Sequence, residues 1–175
     1  YFRWNVEKRY EKILTDLEGD ITCFQGSFPP FHPSASSPTD QNSGAETKIT
    51  KDQIDRNMAC LDNYDAFFSC YRRTAKGQGI HGTCIYTKRS AVIPLKAEEG
   101  LSSTLLPADC LSSARIGGYP TVLDTDLTLD DLKQGDLEGR TTVVDCGLFV
   151  LITVYCPNAG EKEARHIYKE KFNVM

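Results

Sequence analysis

A short strand, cut off by twenty residues that cannot extend it, constrains this 175-residue chain more than any other feature. Asp20-Ile21-Thr22-Cys23-Phe24-Gln25 reads as a short, largely buried strand. Residues 26–45 then break the pattern: they hold four of the chain's eight prolines, five serines, no Lys or Arg, and one acid, Asp40. Nothing in the segment is periodic, so it cannot bury a face, and a disordered insertion is the expectation. Structureless loops beyond about 12–15 residues are uncommon inside compact domains. Any fold for this chain has to carry that segment at the end of a core strand.

The flanking sequence is orderly. Val6, Tyr10, Ile13, Leu14 and Leu17 lie on one face of an amphipathic helix, and Gly19 is placed to stop it. Thr50-Lys51-Asp52-Gln53 has the spacing of a capping box, and Ile54, Met58 and Leu61 continue a helical stripe. Tyr64 to Tyr71 is short and aromatic-rich, hence a strand. Gly82–Thr87 and Ala91–Ala97 read as two strands of an antiparallel hairpin. Residues 98–123 read as an irregular excursion, and Thr128–Gln134 as one capped helical turn. Arg140–Cys146 and Leu148–Tyr155 are strands around a tight turn at Asp145-Cys146-Gly147. The second is almost wholly apolar and is predicted to be central in a sheet covered on both faces. A turn over residues 157–160 leads to a helix over 161–174 with Ala164, Ile167, Tyr168 and Phe172 inward. The class is α/β with mixed, mostly antiparallel sheets.

Composition excludes little. The length suits one domain core rather than two. No apolar run approaches the roughly 18 residues needed to span a bilayer, so no membrane partner is expected. No signal peptide is seen, and the start at Tyr1 rather than Met leads to the expectation of a missing N-terminal portion. Seven cysteines without a C-x-x-C pair fit a reducing compartment and argue against structural zinc. A net charge of −4 does not advertise a nucleic-acid binder. Taken alone, Lys8-Arg9, Arg72-Arg73 with Lys76, and Lys88-Arg89 read as solvated surface. The acidic balance is compatible with a divalent-cation site, which needs carboxylates.

Chemistry is sought at the ends of buried strands, where a sheet holds polar groups rigidly beside open loops. Two ends qualify: the Gln25/Glu46 junction, and Tyr155 through Asn158. By pattern alone Tyr155 reads as a core tyrosine with its hydroxyl at the surface, Asn158 as a turn former, and Glu46 as a solvated carboxylate. His81 reads as a loop residue, since no ligand set accompanies it. Gly77-x-Gly79-x-x-Gly82 imitates a dinucleotide fingerprint, but a strand rather than a helix follows it, so that reading is rejected.

With residues 26–45 excised, the chain runs Asp20-Ile21-Thr22-Cys23-Phe24-Gln25-Glu46-Thr47-Lys48. That string resembles the signature of class II AP endonucleases, the exonuclease III type of the endonuclease/exonuclease/phosphatase superfamily. Further stretches agree in order: Gly79-x-x-Gly82 with the strand to Lys88, Ala97-Glu98-Glu99-Gly100-Leu101, Ile116-Gly117-Gly118-Tyr119-Pro120, Asp136-Leu137-Glu138-Gly139-Arg140, and Val154-Tyr155-Cys156-Pro157-Asn158-Ala159-Gly160. Their wording is closest to the AP endonuclease 2 branch in a fungal-like form. The resemblance spans nearly the whole chain.

That likeness implies a four-layer α/β sandwich, present here in part, with residues 1–175 an incomplete N-terminal portion of the domain and 26–45 an insertion, read as an in-frame retained intron. It implies Glu46 as the Mg²⁺ ligand and a catalytic group, with Mn²⁺ as the alternative cation. Tyr155 would stand beside the scissile phosphate as a catalytic group, Asn158 would contact the phosphate, and Lys48 would support DNA binding. A hard cation wants carboxylate oxygen and offsets charge building on phosphate oxygens during attack by water. The implied reaction is cleavage 5′ to abasic sites, with trimming of blocked 3′ ends, on double-stranded DNA, by a nuclear monomer. Ile80 and His81 stand where the family carries Tyr-Ser, and the downstream Gly-Asp-x-Asn and Ser-Asp-His motifs do not occur before Met175. The rival expectation is therefore a catalytically inactive fragment or DNA-binding remnant.

Overall fold

The computed structural model describes residues 10–25, 51–72, 81–117, 126–159 and 161–175. The Thr50 half of the proposed capping box, the insertion, Glu46 and Lys48 lie outside the described residues. Two three-stranded antiparallel sheets face each other. The first has the order β1-β3-β2, from β1 (Ile21–Gln25), β2 (Tyr64–Cys70) and β3 (Gly82–Lys88). The second has the order β4-β5-β6, from β4 (Lys96–Glu99), β5 (Thr141–Asp145) and β6 (Val150–Val154). Helices α1 (Tyr10–Asp16), α2 (Arg56–Ala59), α3 (Leu129–Leu137) and α4 (Glu163–Asn173) accompany them.

The central strand of the first sheet is β3, which pairs Phe24↔Cys84 on one side and Phe68↔Cys84 on the other. Because side chains alternate along a strand, it presents two faces. Cys84 and Tyr86 enter a cluster with Tyr10, Leu14, Met58, Leu61 and Tyr64, and the Tyr86 hydroxyl donates to the Met58 carbonyl at 3.0 Å. Thr83 and Ile85 point the other way and are equally buried. There the seam between the sheets is closed by hydroxyls. Thr83 and Thr142 share a hydrogen bond at 2.8 Å, and Gln25 donates to Thr153 at 3.2 Å.

Several expectations need correction. The hairpin drawn between 82–87 and 91–97 does not form: β3 spends both its edges on β1 and β2, and the chain crosses to the other sheet, where β4 pairs with β5. β6 is an edge strand of the described fold rather than a central one, with Val150 and Ile152 half exposed. β1 is likewise an edge strand, with Cys23 and Gln25 exposed rather than buried. Leu17, Ala164 and Ile167 face solvent, whereas Phe172 is buried as expected.

α2 starts at an Asp55 cap that accepts from the Met58 amide. α3 is longer than one turn because Thr128 and Asp131 close a full capping box. The excursion after β4 is held by two buried carboxylates. Asp136 accepts from the Leu101 amide at 2.7 Å, from Thr104 at 2.9 Å and from the Ser102 hydroxyl, and Glu98 accepts from Ser103 at 2.8 Å and from the Ile116 amide. Gly100, at φ 85°, is required there, since a Cβ would run into the Asp136 carboxylate.

Candidate active site

The candidate site lies where β6 ends. Its last residues leave the sheet in an alternating segment: Tyr155 half-buried, Pro157 fully buried, Asn158 exposed and Ala159 buried. The buried proline and alanine anchor the turn, so Asn158 is presented to solvent from a fixed backbone. The Gln25–Thr153 hydrogen bond brings the end of β1 to within two residues of Tyr155 along the neighbouring strand. The two ends singled out from sequence are therefore joined at the Gln25 side. Glu46 and Lys48, outside the described residues, have no place in that geometry.

Tyr155 is held through Arg140. The Tyr155 amide donates to the Arg140 carbonyl at 2.8 Å, and Arg140 Nη1 donates back to the Tyr155 carbonyl at 2.9 Å. The guanidinium carbon stands 5.3 Å from the Tyr155 ring centroid, a cation–π distance. Arg140 is 1% exposed and bonded through Nε to Glu138 at 2.6 Å. Glu138 also meets Arg165 Nη1 at 3.2 Å, and Arg165 covers the Tyr168 ring at 4.8 Å. Burial pushes the Glu138 carboxyl up, but the hydrogen bond and charge of Arg140, joined by Arg165, bring it below its ordinary value. Two guanidiniums against one carboxylate leave a local excess of positive charge behind Tyr155.

The backbone explains why these charges gather there. Gly139, at φ 66°, lies so close to the Cys70–Tyr71 peptide that a Cβ would collide with it. Beside it the Arg72 amide donates to the Leu137 carbonyl at 2.8 Å. The string Leu137-Glu138-Gly139-Arg140 thus ties the end of β2 to the start of β5. Glu138 closes α3 in a helical conformation and Gly139 turns the chain at positive φ, so that Arg140 Nε meets the Glu138 carboxylate two residues back. Sequence reading noted the string but gave neither charge a role; the available signal was an acid and a base at i, i+2 ahead of an apolar strand.

His81 immediately precedes β3, so the loop reading of its backbone holds, but its ring lies 5.4 Å from that of Tyr155 and 6.0 Å from that of Tyr71. Its pKa is pushed down to about 4, chiefly by burial and then by Arg140, with Glu138 opposing and Arg165 reinforcing the shift. The imidazole is therefore neutral near pH 7.

Among the described residues no three His, Cys, Asp or Glu side chains converge as a metal site requires. Glu138, linked to Tyr155 through Arg140, is a buried carboxylate committed to two arginines.

No family model matches the chain. Curated relatives do. It is 29% identical over 175 residues to the DNA-(apurinic or apyrimidinic site) endonuclease 2 of Schizosaccharomyces pombe, covering 95% of this chain and 28% of that protein. With the Homo sapiens protein of the same name it shares 27% identity over 171 residues, covering 92% and 27%. The resemblance is to the AP endonuclease 2 type. The crystal structure of the Xenopus laevis APE2 catalytic domain superposes with a TM-score of 0.65 at 27% identity, covering 95% of this chain and 46% of that one. The α/β architecture expected from the AP endonuclease 2 likeness is thereby borne out. The chain spans little more than a quarter of the length of the curated relatives it matches.

Proposed function

We propose that this chain is the N-terminal part of a DNA repair endonuclease that cleaves the phosphodiester 5′ to abasic sites in double-stranded DNA. The observation that carries the reading is Tyr155, its backbone bonded twice to a buried arginine, next to an outward-facing Asn158. In this proposal the Tyr155 hydroxyl and the Asn158 amide donate hydrogen bonds to phosphate oxygens as negative charge builds on them. Donors fixed before the reaction cost no reorganisation during it. Arg165, about one-third exposed, adds positive charge that draws the DNA backbone in.

Mg²⁺, with Mn²⁺ as substitute, is the proposed cofactor, Glu46 its ligand and Lys48 a support to DNA binding. When bound, the cation would supply Lewis-acid stabilisation of the phosphoryl oxygens. In the full-length parent we further assign removal of blocked 3′ ends and a nuclear location, with the protein acting as a monomer. A fluorescent fusion of the parent found outside the nucleus would overturn the location.

A second reading is favoured by the coverage of 46% of the solved relative. In it the 175-residue chain by itself is an inactive or DNA-binding portion. One assay separates them: incision of an abasic-site duplex with Mg²⁺ by this chain, and by a version without residues 26–45 extended at both ends to the length of its relatives. Incision by the extended version alone is expected. Its failure to cut would refute the endonuclease reading, and cutting by the 175-residue chain would refute the inactive-portion reading.

A further inference from the structure

We propose that His81 is a positioning residue for Tyr155: its imidazole sets the direction in which the tyrosine ring leaves a backbone that Arg140 already holds. The inference rests on the reading above only for its catalytic consequence.

Arg140 accounts for the backbone of Tyr155, through one hydrogen bond to its amide and one to its carbonyl. Neither bond fixes the side-chain torsions. Among the described residues the contacts made by the ring are the Arg140 guanidinium, at 5.3 Å, and the His81 imidazole, at 5.4 Å with planes tilted by 41°. His81 is itself braced by Tyr71, edge-on at 81°. The three rings come from three different strand ends: Tyr71 follows β2, His81 precedes β3 and Tyr155 follows β6. Tyr71 and His81 belong to one sheet and Tyr155 to the other, so this stack crosses from sheet to sheet beside the candidate site. The place His81 occupies carries a serine in the strand that this segment resembles, and a serine has no ring to stack.

The electrostatic surroundings fit a stacking role rather than an acid–base one. The charged groups facing His81 are Arg140 and Glu138, ahead of β5, and Arg165 on α4, with the rings of Tyr71 and Tyr155 on its flanks. A protonated imidazole would be a third cation against two guanidiniums and one carboxylate. Its Nδ1 is buried without a hydrogen-bond partner among the described residues, so that nitrogen does not hold the ring there.

The experiment places 3-fluorotyrosine at position 155 of the 175-residue chain and follows its ¹⁹F resonance in the parent and in His81→Ala, His81→Phe and Tyr71→Ala, each checked for fold by its thermal transition. A single narrow line is expected in the parent, a broadened or split line in His81→Ala, a smaller change of the same kind in Tyr71→Ala, and recovery of the narrow line in His81→Phe. An unchanged line in His81→Ala overturns the proposal. So does a His81→Phe spectrum as disturbed as that of His81→Ala. In the extended version, where that version incises abasic DNA, His81→Ala should lower kcat roughly tenfold to a hundredfold with KM unchanged, as expected for a misdirected group near the reaction, and His81→Phe should restore it. If the extended version never incises, the endonuclease reading fails on its own while the fluorine spectra still decide the role of His81.

Discussion

Arg140 is the residue whose loss should be felt most. Removing one partner of a buried ion pair strands the other charge, at a cost of about 3–5 kcal/mol. Arg140→Met should therefore lower unfolding stability by that amount in urea, leaving Glu138 buried without its closest cation. Gly139→Ala should be nearly as severe, for a different reason: the added Cβ meets the Cys70–Tyr71 backbone, which cannot swing aside as a side-chain tip would. His81 makes stability depend on pH. Its folded pKa of about 4 lies below its ordinary value of 6.5, so the unfolded chain takes up the proton first as pH falls. The stability present above pH 6.5 is expected to drain away between 6.5 and about 4. Thermal transitions of the parent and of His81→Phe over that window should diverge, the variant losing less; parallel curves would contradict the assignment.

Elements teach where apolar patterning is a safe guide and where it is not. Val150-Leu151-Ile152-Thr153-Val154 has the composition of a doubly covered strand yet lies at an edge, while Gly82-Thr83-Cys84-Ile85-Tyr86-Thr87, with two threonines, is the central one. The reason is chemical. Thr83 on β3, Thr142 on β5 and Thr153 on β6 meet hydrogen-bond partners across the seam, so a polar residue is satisfied at those positions, whereas the buried Thr87 hydroxyl has no such partner among the described residues. Periodicity alone cannot see such a partner. Local signals fared better: Thr128 caps α3, and Asp145-Cys146-Gly147 turns β5 back into β6, because both depend on residues within one turn of chain. Thr128→Ala should cost about 1 kcal/mol. The seam allows a sharper test by double-mutant cycle. Thr83→Val alone should destabilise by about 1–3 kcal/mol by leaving the Thr142 hydroxyl without that partner, whereas Thr83→Val with Thr142→Val should recover most of the loss.

For the whole molecule, the legible part was the frame and the illegible part was what fills the site. Tyr155 and Asn158 were singled out from their place after β6, an apolar strand that lies at an edge of the described fold. Arg165 was not, because it meets Glu138 only when α4 returns to the end of α3, and no spacing in the chain records that return; Glu138 and Arg140 stood at i, i+2 but had been given no role. The exposed apolar flank of β6 yields a prediction at this scale. Among the described residues Val150 and Ile152, with Leu148 and Phe149 before them, leave an exposed apolar edge of the kind that associates nonspecifically. Val150→Lys with Ile152→Lys should reduce concentration-dependent light scattering of the 175-residue chain while shifting its thermal transition little.

The four residues Leu137 to Arg140 carry a consequence for how such a chain can change over time. Gly139 allows the close approach to the Cys70–Tyr71 peptide at the end of β2, and Arg140, one residue later, holds the backbone of Tyr155. Spacing and aim are therefore inherited together. A lineage could rework the helices or lengthen loops with little penalty, but any drift in this tetrapeptide would alter the packing distance and the placing of Tyr155 in a single step. Selection on either property would freeze both.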